Sequence, residues 1–223
     1  AYSENLDISK GLCIESEGGY ASTTITAANT GDHVIYITAS NVTIRGFSIY
    51  GATTGDWQNG GIYLKGADYC VLEENRCGQD ANSRNTMGIM LEDSHYNTIA
   101  NNVCVKNIWE GIKLWMSSYN KITGNQCCGN DNHGIHLYVS NHYNLIEDCN
   151  CTFNKNNGIY IQNSSHNTVS KNNMQSNGNN GIYISGTCSY NTINRNNITS
   201  NAYDGILFID TIRYNSIIAN TIK

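Results

Sequence analysis

Short alternations of apolar and polar residues recur along the chain, and most of them begin with a Gly-Ile pair. These pairs start at Gly61, Gly88, Gly111, Gly134, Gly158, Gly181 and Gly205, and the later steps are 23 or 24 residues long. Alternation with a period of two is typical of short β-strands, because successive side chains of a strand point to opposite faces. A strand-built repeat of this length predicts a solenoid whose coils bury a core only by stacking on each other.

Three groups of apolar positions in each repeat predict three short strands per coil. The first strand carries inward pairs, namely Ile62/Leu64, Ile89/Leu91, Ile112/Leu114, Ile135/Leu137, Ile159/Ile161, Ile182/Ile184 and Ile206/Phe208. The second is marked by Leu72, Ile99, Ile122, Ile146, Val169, Ile193 and Ile217, and the third by Cys77, Cys104, Cys127, Cys151, Met174, Ile198 and Ile222. Because stacked strands lie about 4.8 Å apart, we expect like residues to superpose from coil to coil.

Asparagines recur between the predicted strands and form three columns. The columns are Asn75, Asn102, Asn125, Asn172, Asn196 and Asn220, with Cys149 replacing one member; Asn97, Asn120, Asn144, Asn167, Asn191 and Asn215; and Asn107, Asn130, Asn154, Asn177 and Asn201. Asparagine tolerates turn conformations, and its amide can bond the amides of the coils above and below. The pattern therefore predicts asparagine ladders at the turns.

The repeat signals begin only after the first thirty residues. We expect an irregular first coil or cap over residues 1–32 and β-helix repeats over residues 33–223. The chain ends in the strand-like phrase Asn220 to Lys223 without a capping segment, and a bare terminal coil offers an open sheet edge. We therefore expect this chain to be a piece of a longer protein.

The repeated phrase G-I-x-[LI] followed by N-x-[IV]-x-x-N-x-[CMI]-x-x-N resembles that of a known family. It is similar to the NosD-like parallel β-helix repeat of the carbohydrate-binding and sugar-hydrolase β-helix superfamily. The opening phrase from Thr23 to Ile49 is similar to the start of such domains in archaeal surface proteins, including disaggregatase-type enzymes. The resemblance implies an all-β, right-handed, single-stranded parallel β-helix and an extracellular, cell-surface or periplasmic location. The shared motif consists of core and turn residues, so it transfers no catalytic role.

Composition narrows the possible partners. The formal net charge of −5 and the lack of a basic run argue against binding to nucleic acid or to an anionic membrane. No apolar run approaches the ~20 residues that a membrane span requires. The nine cysteines are an odd number, and stacked thiols inside the solenoid make poor disulfides, so we expect buried free thiols. No feature of the pattern indicates an oligomeric state.

The outward face of the first strand is where enzymes with this resemblance place their sites. In the middle coils this face collects acid, base and aromatic residues, which suit a sugar polymer because rings stack on sugars and acid–base groups act at the glycosidic bond. Our catalytic candidates are Glu110, Lys113, His133 and His136. Our substrate-binding candidates are Glu92, Trp109, Trp115, Tyr138 and Tyr160, together with Trp57 and Arg84 from two long turns.

Two reaction types remain open for such a face. A lyase needs a base, such as His136 or Lys113, and charge stabilisation by Arg84 or by a cation at acidic residues such as Glu92; Ca²⁺ is the one cofactor suggested. A glycoside hydrolase needs two carboxyl groups about 5 or 6.5–9.5 Å apart. Glu92 and Glu110 make a poor pair, since they lie about 16 Å apart at the rise of a strand. We expect no metal ligation by His133 and His136.

Three other functions compete with polysaccharide cleavage. The face can form a ligand-binding groove without catalysis, or the chain can be a structural or adhesion scaffold. A NosD-like accessory role in copper-centre assembly is the third, although Cys128 should point away from Cys127. A further column, Tyr69, Tyr96, Tyr119, Tyr143, His166, Tyr190 and Tyr214, could form a docking strip or could stiffen one corner by stacking on itself.

Overall fold

The computed structural model describes residues 1–54 and 59–223, so the candidate Trp57 lies outside the described residues. Every paired strand is parallel to its neighbours, and the described residues contain no helix. Nor do they offer a helix with the length and apolar character needed to cross a membrane. The chain is an all-β parallel solenoid of about nine coils, with three sheets around the core.

The strands are short and follow each other around successive coils. The first half contains β1 (Tyr2–Ser3), β2 (Leu6–Ile8), β3 (Cys13–Glu15), β4 (Thr24–Thr26), β5 (Ile35–Ile37), β6 (Thr43–Arg45), β7 (Ser48–Tyr50), β8 (Gly60–Lys65), β9 (Val71–Glu73), β10 (Arg76–Cys77), β11 (Met87–Glu92), β12 (Thr98–Ala100), β13 (Val103–Cys104) and β14 (Ile112–Trp115). The second half contains β15 (Lys121–Thr123), β16 (Ile135–Tyr138), β17 (Leu145–Glu147), β18 (Ile159–Gln162), β19 (Thr168–Ser170), β20 (Asn173–Gln175), β21 (Ile182–Ser185), β22 (Cys188–Ser189), β23 (Thr192–Asn194), β24 (Asn197–Thr199), β25 (Ile206–Phe208), β26 (Ile212–Arg213), β27 (Ser216–Ile218) and β28 (Thr221–Ile222).

Two nine-stranded sheets and a shorter third sheet form the walls of the solenoid. We call the sheet β2-β5-β8-β11-β14-β16-β18-β21-β25 the front sheet, because it carries the candidate site. The second sheet runs from β3 to β27, and the third consists of β1-β4-β7-β10-β13 and β20-β24-β28, joined by isolated bridges through Gln126 and Asn150. Residues 1–32, expected as an irregular first coil, contribute β1 to β4, which pair in register with the next coils.

The predicted inward residues superpose and are buried. On the front sheet Ile89 pairs with Ile112, Ile112 with Ile135 and Ile135 with Ile159, and all four are fully buried. The core also contains the cysteine column Cys77, Cys104, Cys127 and Cys151. All nine cysteines are free, and burial raises the pKa of the Cys127 thiol, so this thiol is a neutral, apolar core side chain.

The asparagine columns form continuous hydrogen-bond chains along the turns. In one of them the backbone N–H of Asn102 donates to Oδ1 of Asn125 at 2.9 Å, and the side chain of Asn102 donates to the carbonyl of Leu72 at 2.8 Å. Cys149 interrupts this chain, yet its own N–H donates to Asn172 Oδ1 at 2.8 Å. Each amide thus satisfies buried backbone groups of two coils, which holds the coils in register.

The tyrosine column stacks on itself at the corner before the second sheet. Its seven rings lie 4.9–5.2 Å apart in sequence, with planes within 20° of parallel. Each of these residues has a left-handed backbone, with φ between 56° and 62°. Because the ring faces cover one another, the column stiffens the corner and leaves only ring edges for a partner.

Candidate functional site

Strand register brings five of the sequence candidates onto adjacent positions of the front sheet. Lys113 of β14 pairs with His136 of β16, which pairs with Tyr160 of β18. Two residues further along the same strands, Trp115 pairs with Tyr138. All five point outward, because their sequence neighbours Leu114 and Leu137 fill the core.

A buried carboxylate–histidine pair lies at the centre of this surface. Oε1 of Glu110 accepts a hydrogen bond from Nδ1 of His136 at 3.2 Å and from Nδ2 of Asn132 at 2.9 Å. Glu110 is 1% exposed, His136 6% and His133 7%. One ligand-capable atom from each of these three residues lies within 4.8 Å of the other two. We call Glu110 and His136 the dyad.

The two histidines present opposite tautomers, which we assign from their hydrogen-bond partners. His136 donates from Nδ1 to a carboxylate, so its Nε2 carries a lone pair; that Nε2 is buried and has no hydrogen-bond partner among the described residues. His133 accepts the backbone N–H of Asn157 at its Nδ1, over 3.2 Å, so its Nε2 carries the proton. The site therefore offers one imidazole acceptor and one imidazole donor.

A chain of amides holds the carboxylate of the dyad. Asn179 donates to Oδ1 of Asn156 at 2.7 Å, Asn156 donates to Oδ1 of Asn132 at 2.6 Å, and Asn132 donates to Glu110. Aligned amides polarise one another, so the chain stabilises the anion that terminates it. The sequence analysis did not single out these asparagines, although their spacing of 24 and 23 residues follows the repeat.

Burial and charge set the protonation states of the cluster. Burial alone would raise the pKa of Glu110, but the hydrogen bond from His136 and the nearby charges, including that of Lys113, hold it below its ordinary value. Burial lowers the pKa of His136 and Lys113, and it lowers that of His133 to about 3. At neutral pH Glu110 is thus an anion and both imidazoles are neutral.

Aromatic rings surround the dyad on the outward face. The ring of Tyr160 stacks on His136 at 4.5 Å and on Tyr183 at 4.8 Å. The ring of Tyr138 meets His136 edge-on at 5.5 Å and lies 6.1 Å from Trp115, while the ammonium of Lys113 lies 5.0 Å from its centre. The half-buried faces of these rings provide the apolar surface that stacks on sugars.

The family model for the right handed beta helix region matches residues 32–198 and, in a second overlapping match, residues 110–223. The chain belongs to this family. No curated protein sequence matches the chain. The finer resemblance to NosD-like and archaeal surface proteins stays a prediction.

Solved structures share the fold of this β-helix protein. The periplasmic alginate epimerase AlgG superposes with a TM-score of 0.76 at 18% identity, covering 90% of this chain and 49% of that one. The enzymatically active domain of tailspike protein 2 of bacteriophage CBA120 gives 0.73 at 15% identity, covering 100% and 38%. Pectate lyase Pel9A gives 0.58 at 14% identity, covering 100% and 65%. The chain thus spans about half the length of the epimerase.

The remaining candidates of the β-helix protein lie around the dyad without contacting it in a recorded hydrogen bond or ion pair. Glu92 pairs with Trp115 in register, and its carboxylate bonds Tyr63 and lies 3.1 Å from the ammonium of Lys65. Trp109 precedes Glu110 and is 45% exposed. Arg84 forms an ion pair with Asp131 on the adjoining corner, and its role in stabilising charge at the base stays a prediction.

The donor set of the β-helix protein does not suit the Ca²⁺ considered from sequence. Ca²⁺ takes six to eight oxygen ligands, whereas the buried cluster offers one carboxylate and two imidazoles. A transition metal bound at Nδ1 of His133 would break the hydrogen bond from the backbone N–H of Asn157. A metal bound at Nε2 would move the ring proton to Nδ1, where it would face that same N–H. In the cluster as folded, the Nδ1 atoms of both histidines are already engaged in hydrogen bonds.

Proposed function

We propose that this β-helix protein binds a polysaccharide on the outward face of its front sheet and acts on it as a lyase. The observation that carries the proposal is the buried, unpartnered Nε2 of His136, whose other nitrogen is held by an anionic Glu110. Three similar structures bear the names of an alginate epimerase, a pectate lyase and an enzymatically active tailspike domain, which supports a glycan substrate. An extracellular, cell-surface or periplasmic location goes with this proposal.

The chemistry follows from the charges of the cluster. His136 Nε2 takes the proton from the sugar carbon that bears the carboxyl group, and Glu110 stabilises the imidazolium that forms. The bond to the leaving oxygen breaks as a carbon–carbon double bond forms, and the ammonium of Lys113 protonates that oxygen. The imidazole of His133 has a pKa of about 3 and is therefore neutral at working pH. Its Nε2–H donates a hydrogen bond to the negative charge that develops on the substrate.

Hydrolysis fits the same residues less well. A general acid needs a carboxyl group with a raised pKa, but that of Glu110 is lowered. The other carboxylate among the candidates, Glu92, is engaged by Tyr63 and Lys65. A lyase needs one base and one positive charge, which the cluster supplies.

Access to the base requires a side-chain movement. His136 is 6% exposed, and the rings of Tyr138 and Tyr160 cover it. We infer that a bound sugar replaces the ring of Tyr138 against His136, since rotamer changes of partly exposed aromatic residues are fast. The rings then stack on the sugar instead of on the imidazole.

The test is a panel of polysaccharides assayed for the ultraviolet absorbance of an unsaturated product. We expect one polymer to be cleaved, with kcat falling about 10²–10⁴-fold in His136→Ala. The matched control is His142→Ala, since His142 contacts Ser165 on another corner. Trp115→Ala should weaken binding to the polymer. Absence of both cleavage and binding across the panel would favour the structural scaffold instead, and equal rates in both histidine variants would remove His136 as the base.

A further inference from the structure

A pocket on the corner next to the dyad carries an unusual concentration of positive charge. Its volume is about 340 Å³, and its walls include Arg84, Lys106, Gly129, Asp131, Phe153 and Lys155. We call it the corner pocket. Three cations face one carboxylate here, in a chain whose formal net charge is −5.

Asp131 forms ion pairs with two of the three cations, so the pocket keeps a net positive charge. Its carboxylate forms an ion pair with Arg84 and lies 2.8 Å from the ammonium of Lys155. The Nε of Arg84 is buried and has no hydrogen-bond partner in the described part of the chain. The pocket thus has three cationic side chains around a single carboxylate, which leaves positive charge for one more anion.

The lack of a side chain at Gly129 lets Lys106, the third cation, reach the corner pocket. Lys106, Gly129 and Phe153 occupy one column of left-handed residues, with φ of 59°, 64° and 57°. A Cβ at Gly129 would lie only 2.9 Å from the ammonium of Lys106. The lysine therefore lies over the glycine of the next coil, and a larger residue at position 129 would make the end of this side chain shift.

Phe153 is costly to the fold where it stands. It is 65% exposed, and its left-handed backbone is one that bulky residues rarely adopt. The left-handed backbone belongs to the turn, as at Lys106 and Gly129 of the same column, so the exposed ring is the feature that distinguishes this position. An exposed ring beside a cationic pocket matches a sugar acid, whose apolar face stacks on the ring while its carboxylate meets the cations.

The corner pocket adjoins the dyad through the backbone. Asp131 is followed by Asn132, whose side chain donates to Glu110. The wall of the corner pocket and the carboxylate of the dyad are thus linked by two consecutive residues, Asp131 and Asn132.

We propose that the corner pocket is a subsite for the carboxylate of a second acidic sugar unit, next to the unit whose proton His136 removes. This inference rests on the proposed polysaccharide function and specifies its substrate. Arg84, Lys106 and Lys155 hold the carboxylate, and Phe153 stacks on the ring that carries it.

The experiment compares two probes by calorimetry: an oligosaccharide of uronic acid units, and the same oligosaccharide with its carboxyl groups reduced to alcohols. We expect the double variant Lys106→Ala/Lys155→Ala to bind the acidic probe about tenfold or more weakly and the neutral probe unchanged. The matched control, Lys121→Ala/Lys171→Ala, removes the same charge from the second sheet and its turn. Equal losses in both double variants would overturn the corner pocket as a site.

A second variant separates binding from folding. Phe153→Asn places at this position a residue that tolerates the left-handed backbone, so we expect a higher unfolding midpoint and weaker binding of the acidic probe. Unchanged affinity would overturn the role of Phe153. If the wild type binds both probes equally and still cleaves a uronic acid polymer, the inference fails while the proposed function stands; if it binds neither probe and cleaves no polymer, both fail.

Discussion

Removal of one asparagine from the middle of a turn ladder provides a sharp test of what holds the coils together. Asn130 accepts the backbone N–H of Asn107 at 3.0 Å and donates to the carbonyl of Cys104 at 3.1 Å. It also bonds the side chains of Asn107 and Asn154. Alanine at this position keeps the backbone geometry, because Asn130 is not among the residues with positive φ.

The magnitude follows from which groups lose their partner. In Asn130→Ala the N–H of Asn107 and the carbonyl of Cys104 lose these bonds in a buried turn. The side chain of Asn107 keeps its bond to Cys77, and that of Asn154 keeps the backbone N–H of residue 130. At about 1–3 kcal/mol for each of the two orphaned groups, the free energy of unfolding should fall by about 2–6 kcal/mol.

The assay is urea unfolding followed by circular dichroism, with Asn197→Ala as the control. Asn197 is exposed and makes a side-chain bond to Asn173 at 2.9 Å, so its loss should cost less than about 0.5 kcal/mol. Both variants should unfold in one transition with the slope of the wild type. If Asn130→Ala stays within about 0.5 kcal/mol of the wild type, the ladder bonds do not stabilise the coil stack and the reasoning fails.

Three further predictions use the same structure. Tyr119→Ala should cost about 1–3 kcal/mol in urea unfolding, because its ring stacks on those of Tyr96 and Tyr143. A thiol reagent should label Cys13 rapidly in the native protein and all nine cysteines only after denaturation, as counted by mass spectrometry. Between pH 6.5 and about 3, His133 is protonated in the unfolded chain but neutral in the folded protein, because burial lowers its pKa. The free energy of unfolding should therefore fall by up to about 5 kcal/mol as the pH drops through this range. His133→Asn should remove that part of the pH dependence, and an unchanged slope would contradict the neutral assignment.

The repeat made much of the fold predictable. A step of 23 or 24 residues superposes Ile112 on Ile135, and the same step makes Lys113 and His136 neighbours without further information. The first coil was harder, because Leu6–Ile8 and its partners lack the Gly-Ile and asparagine signals yet form strands in register. The strands of this terminal coil are held in register by pairing with the next coil, which their own sequence pattern does not indicate.

The chemistry of the site depended on details that a repeat pattern does not contain. Sequence placed Glu110, His133 and His136 in one area, but the tautomers follow from side-chain rotation and from which backbone N–H faces each ring. Arg84 pairs with Asp131, a partner that the repeat pattern does not indicate. The hydrogen-bond partners of long side chains depend on their rotamers and on local packing. A sequence period gives the position of a residue but not its rotamer.

One column beside the front sheet holds two histidines with the same backbone hydrogen bond, which allows a matched test of His133. Asn157 uses its Oδ1 to accept the N–H of Asn180, and His133 occupies the same column and accepts the N–H of Asn157 in the same way. His33, four coils away, also accepts a backbone N–H at Nδ1, that of Gly60 at 3.1 Å. This bond by itself is therefore a feature of the turn. What differs at His133 is the neighbouring dyad. We therefore expect His33→Asn to leave cleavage unchanged and His133→Asn to lower kcat. Equal effects of the two variants on kcat would mean that both histidines have only a structural role.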